Sequence, residues 1–236
     1  MEISKYKMFW LKYKYWLYLL YLPVYLIAFF LIEGYIDNSY NYWVSYAPLD
    51  SIIPFIDWFV IFYDLWYPFM LVVGVYLLFK ERQAYERMAY MLIFGFSFSL
   101  LFFLILPNGQ NLRLESFEKE TIFTQIIASL WETDTHTNVL PSMHVYGSIF
   151  TVFAVLDSKT IRNVFVRSGA VILGLLICAS TCIIKQHSIL DVYAGLILFA
   201  ILYWIIYHNK IFNNYDGAVE YISELKGDYI MFKQFV

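Results

Sequence analysis

The sequence predicts an all-α integral membrane bundle of six transmembrane helices, with both termini cytoplasmic. Three observations carry this. Of the 236 residues, 61% are apolar and only 15% charged, against about 25% charged in a typical soluble domain. The apolar residues fall in six runs near spanning length, and the basic residues alternate between their connections. Intrinsic disorder, a collagen-like chain, a nucleic-acid-binding domain and an ordinary soluble enzyme are excluded by this composition.

A helix needs about 20 mainly apolar residues to cross the hydrocarbon. Tyr15–Ile32 is the first uncharged run, and Trp58–Phe79 the second, broken only by Asp64. Met88–Leu106 and Ser168–Ile184 carry no charge, and Val192–Tyr207 closes the set. Val145–Leu156 is short and must borrow Pro141–His144 to approach spanning length. Residues 1–208 therefore read as one six-span domain, with a motif-bearing core at about 50–208 and a polar cytoplasmic tail at 209–236. The one long connection, Pro107–Leu140, is of the kind that tends to carry function.

Lys and Arg set orientation. With the N-terminus inside, the inner segments hold Lys5, Lys7, Lys12, Lys14, Lys80, Arg82, Arg87, Lys159, Arg162, Arg167, Lys210, Lys226 and Lys233. The outer segments hold only Arg113, Lys119 and Lys185. The first run follows a basic stretch but is too long for a signal peptide, and no small-x-small cleavage site follows it, so it reads as an anchor. Cys178 and Cys182, one turn apart in the fifth run, read as small packing residues rather than a disulfide or a metal site.

Charges and histidines near membrane spans are costly and mark function by default. Here they gather at the outer ends: Arg113 in the long loop, His144 in Pro141-Ser142-Met143-His144, and Lys185, His187 and Asp191 between the fifth and sixth spans. These groups suit phosphoryl transfer. Pro141-Ser142 reads as a helix start whose N–H groups and dipole favour a phosphate. Ser142 serves equally as a plain N-cap. Arg113 and Lys185 would bring positive charge to the phosphate oxygens. His187 and Asp191 are four apart and share a helical face. The carboxylate would then hold one imidazole nitrogen and leave the other to attack phosphorus. His144 would protonate the leaving oxygen and then deprotonate the acceptor.

Pro-Ser-x-His followed by Ser-x6-His-x3-Asp resembles the type 2 phosphatidic acid phosphatase superfamily, six-span lipid phosphatases and phosphotransferases with the signature K-x6-R-P, P-S-G-H, S-R-x5-H-x3-D. The resemblance spans about residues 50–208. Pro141, Ser142 and His144 match the second block; Ser180, His187 and Asp191 match the third; Arg113 matches the Arg of the first. It implies a phosphohistidine on His187, oriented by Asp191, with His144 at the leaving group. It also makes Ser180 a phosphate-binding candidate, although this residue fits packing between helices as well. Leu106, Leu114, Met143 and Thr181 stand where the signature has Lys, Pro, Gly and Arg, and Lys185 lies one turn beyond Thr181. The Lys-Gln-His-x3-Asp form and Trp58–Pro68 are similar to the branch containing inositol phosphorylceramide synthases.

The expectation is a metal-independent, cofactor-free lipid-phosphate phosphatase working at the outer face of the cell membrane. Two alternatives stand beside it. One is a phosphotransferase moving a phospho-head-group between lipids or to a polyol; the other is a non-catalytic lipid-binding or lipid-moving protein. The expected partners are a lipid phosphate or phospholipid and the membrane itself, with no nucleic acid. Fewer cations point towards singly charged diesters and transfer. Asp57 and Asp64, two turns apart on one face, either line a head-group cleft or pair with a cation. His136 reads as a surface-loop residue, and Asn138 as part of the turn into Pro141.

Overall fold

The computed structural model describes residues 14–36 and 41–208. The polar tail at 209–236 and most of the basic N-terminal stretch lie outside the described residues. The chain is an all-α membrane bundle. A 3-10 segment, Lys14–Leu20, leads into α1 (Tyr21–Tyr35), and α2 (Val60–Asp64) runs almost directly into α3 (Trp66–Lys80). There follow α4 (Arg82–Ile105), α5 (Ile122–Thr133), α6 (Met143–Asp157), α7 (Val164–Ile183) and α8 (Ile189–His208). Lys14–Tyr35, Asp57–Lys80, Arg82–Ile105, Val164–Ile183 and Ile189–His208 are long and apolar enough to cross a membrane, and Met143–Asp157 is a shorter apolar helix. The six runs read from the sequence thus coincide with the helices.

The short helix is the central one. α6 packs against α3, α4, α7 and α8, and residues all around it are buried, among them His144, Tyr146, Ser148, Phe150, Thr151 and Val155. A helix enclosed by other helices meets protein rather than lipid, so it carries hydroxyls that lipid-facing helices exclude. Ser148 and Thr151 return their hydroxyls to the carbonyls of His144 and Gly147, at 2.6 and 2.7 Å. Its neighbours instead expose Leu71, Val72, Leu175, Ile197 and Ile201, as a lipid-facing surface requires.

Close approach to α6 depends on missing side chains. A Cβ on Gly195 of α8 would lie 2.8 Å from the Ser142 carbonyl oxygen and 3.3 Å from Val145 Cβ. A Cβ on Gly95 of α4 would lie 2.1 Å from the Tyr146 ring, whose hydroxyl donates to the Met91 carbonyl. At the end of the bundle away from the histidines, Arg87 pairs with Asp157 through Nε at 2.9 Å. Glu81 there accepts from Lys159 N, Thr160 N and the hydroxyls of Ser158 and Thr160. Partial burial raises the Glu81 pKa, but these hydrogen bonds outweigh it and hold the carboxyl below its ordinary value.

The long connection is structured. α5 is amphipathic and N-capped by Thr121, whose hydroxyl accepts from Thr124 N and donates to Asp57 at 2.6 Å. Asp57 therefore anchors α5, while Asp64 is exposed. β1 (Trp43–Val44) and β2 (Asn108–Gly109) form a two-residue parallel pair, and Asn108 Oδ1 accepts from Val139 N and Leu140 N. These bonds draw three distant stretches of chain over one end of the bundle. His136 sits there, half-buried, with Nε2 2.9 Å from the Tyr42 hydroxyl; burial, then the nearby Arg113, lowers its pKa.

Candidate active site

The end of α7 determines where His187 points. Ile184 N bonds the Ser180 carbonyl, and Gln186 N and His187 N both bond that of Thr181, at 3.0 Å each. Between them Lys185 adopts a left-handed backbone, φ 59°. A non-glycine residue there costs about 1–2 kcal/mol. Lys185 Nζ donates to the carbonyls of Asp50 (2.8 Å) and Ile53 (2.5 Å), tying this turn to the segment before α2.

α8 then begins under a carboxylate that no motif marks. Asp50, 2% exposed, accepts from Ser188 Oγ at 2.6 Å, Ile189 N at 2.8 Å and Ala47 N at 2.8 Å. An acidic group at a helix N-terminus satisfies free N–H donors and complements the dipole. From the turn just before this helix, His187 Nδ1 lies 3.3 Å from Asp191 Oδ2 in its first turn. Asp191 is fully buried and also accepts from Ser188 N (2.9 Å) and Ser45 Oγ (2.5 Å). The carboxylate has three partners, so its position is held and Nε2 is left as the His187 nitrogen turned to other work.

His144 arrives from α6. Ser142 caps that helix as expected, its Oγ accepting from Val145 N at 3.4 Å, and its own N–H bonds the Asp191 carbonyl at 3.1 Å. The two histidine segments are thus joined through the main chain. The His144 ring is stacked on Tyr63 (centroids 4.0 Å) and lies 4.2 Å from Trp66 and 6.0 Å from His187. It is 7% exposed, and its Nε2 has no hydrogen-bond partner among the described residues.

Both histidines line the polar end of a cavity of about 600 Å³, within the usual range for small-molecule sites. Thr133, Asp134, Thr137 and Asn138 line that end too, and the rest of the wall is apolar and aromatic, from α1, α3 and α4. α1 packs on α4. Leu26 and Phe30 of α1 and Leu71 of α3 line the cavity and are also exposed on the outside of the bundle.

The expected cations and hydroxyls stand elsewhere. Among the described residues, no Lys or Arg lines the cavity. Arg113 donates to the carbonyls of Trp131 and Asp134 and to Gln186 Oε1, clamping the end of α5 beside the His187 turn. Burial lowers its pKa, opposed by Asp134, yet a guanidinium stays charged. Burial likewise lowers that of Lys185, opposed by Asp50. Ser180 is buried and donates to the Ile177 carbonyl. Both cysteines are free thiols.

The sequence reading missed Ser45, Asp50, Tyr63, Trp66 and Asp134. Tyr63 and Trp66 lie in the Trp58–Pro68 segment, whose aromatic density was the one available signal. No family model, curated protein or solved structure matches the chain.

Proposed function

We propose that this membrane protein cleaves a lipid phosphate ester through a phosphohistidine on His187. One observation carries the reading: two imidazoles, one on α6 and one in the turn between α7 and α8, meet where an apolar cavity becomes polar, and one is held by a buried carboxylate. His187 Nε2 attacks phosphorus, the P–O bond to the leaving group breaks, and His144 supplies that oxygen with a proton. His144 then takes a proton from water, which attacks phosphorus and breaks the P–N bond. Asp191 holds the His187 tautomer and offsets the charge that develops on its ring.

The distribution of Lys and Arg supports an outward-facing site. A second reading, transfer of the phospho-group to a lipid or polyol hydroxyl in place of water, draws on the cavity lining. With no Lys or Arg in that lining among the described residues, a singly charged diester suits it better than a doubly charged monoester.

The test is a lipid panel on purified protein in vesicles: monoester, pyrophosphate and diester lipids, assayed for free phosphate and for new phospholipid. Free phosphate selects hydrolysis, and head-group exchange selects transfer. Turnover in His187→Ala at the wild-type rate overturns both.

A further inference from the structure

We infer that the polar end of the cavity holds the primary ammonium of a zwitterionic phosphodiester lipid of the phosphatidylethanolamine class, an inference that rests on the histidine site proposed above. Two independent features meet at this corner. Asn138 is 6% exposed, lines the cavity, and carries a left-handed backbone at φ 56°. Its Nδ2 donates to Glu33 Oε1 at 2.7 Å, so the amide is oriented, and its Oδ1 has no partner among the described residues. A buried acceptor without a donor costs about 1–3 kcal/mol, which a ligand N–H removes.

Charge is the second feature. Asp134 lines the same end, with Oδ2 accepting from the Tyr63 hydroxyl at 2.5 Å. Glu33 stands behind Asn138, accepting from Asn138 and from Thr135. Arg113, bonded to the Asp134 carbonyl, is the cation attached to this corner. The Asp134 carboxylate stands in a lining with no Lys or Arg among the described residues, and Glu33 adds a second acidic group behind it. An ammonium is drawn in there.

Tyr63 sets the spacing. Its ring lies on the His144 imidazole at 4.0 Å and its hydroxyl on Asp134, so the phosphorus site and the ammonium site stand one tyrosine apart, the scale of an ethanolamine bridge. Trp66 and Tyr67 are also in the wall. Asn138 Oδ1 and the Asp134 carboxylate are acceptors, so they distinguish an ammonium with N–H groups from a quaternary one, which has none. On such a lipid, His187 Nε2 bonds to phosphorus as the diacylglycerol oxygen leaves with a proton from His144. Water then breaks the P–N bond and releases phosphoethanolamine.

The experiment uses full-length protein in vesicles holding equal amounts of phosphatidylethanolamine, phosphatidylcholine, phosphatidylglycerol and phosphatidic acid with identical chains. Lipid retained by the protein is identified by native mass spectrometry, and released diacylglycerol is assayed separately. The expected result is at least tenfold enrichment of phosphatidylethanolamine over each of the others, falling below threefold in Asp134→Asn and in Asn138→Gly, which keeps the left-handed backbone accessible. Thermal melting verifies that both variants fold; if one does not, the comparison among lipids on the wild-type protein decides alone. Retention of any other lipid as well as phosphatidylethanolamine overturns the inference. Diacylglycerol release that survives in His187→Ala overturns the histidine reading instead, and leaves the retention result standing.

Discussion

His187 and Asp191 form a buried pair, Nδ1 to Oδ2 3.3 Å apart, and the carboxylate is locked in turn by Ser188 N and Ser45 Oγ. Asp191→Asn keeps the shape but offers an amide that can bond the wrong tautomer. We expect kcat to fall about 10²- to 10⁴-fold with little change in melting temperature, read from steady-state turnover of the best lipid in the panel. Ser45→Ala removes one bond to a carboxylate, worth about 1.5–3 kcal/mol. It should lower kcat about 10- to 100-fold and leave KM near the wild-type value.

The two imidazoles have separable roles. His187→Ala and His144→Ala should each lose about a thousandfold or more in kcat/KM. Only His144→Ala, by this scheme, still takes up label from a lipid with a good leaving group, since His187 is the atom that bonds phosphorus. Acid-labile radiolabel on protein separates them; label on His187→Ala, or none on His144→Ala, contradicts the assignment.

Lys185 spends its ammonium on the Asp50 and Ile53 carbonyls. Lys185→Met should therefore lower the melting temperature and kcat together, and leave KM for lipid within about threefold. A KM rise of tenfold or more at unchanged stability would return this lysine to phosphate binding.

Gly195 meets the Ser142 carbonyl at the start of the helix that carries His144. Gly195→Ala forces backbone apart at a cost of about 1–3 kcal/mol. Activity should fall more than stability, because the displaced element holds His144, the proton donor of the proposed reaction. Gly169→Ala, where a Cβ meets nothing within 4 Å, is the matched control and should be neutral in both assays.

Glu81 joins two turns at the opposite end, and its hydrogen bonds hold its pKa below the ordinary carboxylate value. A carboxyl depressed on folding adds stability above its unfolded pKa, and that stability is lost as pH falls through the folded value. Melting temperature in detergent should drop between about pH 5 and pH 3 in the wild type, and Glu81→Gln should be less stable at pH 7 and show a shallower acid drop.

Much of the bundle was legible because membrane insertion is written locally. Every spanning helix must be apolar along a continuous stretch of chain, so Met88–Leu106 announces α4 without reference to any other segment. The His187–Asp191 pair was legible from its four-residue spacing, although His187 reaches Asp191 from the turn before α8 and not from a shared helical face. The roles of Lys185 and Arg113 were not. A cation near a motif looks the same whether it faces a phosphate or a carbonyl, and what decided was the Asp50–Ile53 turn and the end of α5, both remote in sequence.

The sequence by itself determined the all-α membrane class, the six apolar helices and the convergence of His144, His187 and Asp191 on one end. These follow from hydropathy and helical period, which are properties of adjacent residues. Only the tertiary structure decided that α6 is the enclosed central helix and that Asp50 and Ser45 brace the turn carrying His187 and the start of α8. It alone, too, carried the cations outside a cavity whose polar end is acidic. Hydrogen bonds between residues more than a hundred positions apart leave no periodic trace in a chain, and they become visible only once packing has brought the partners together.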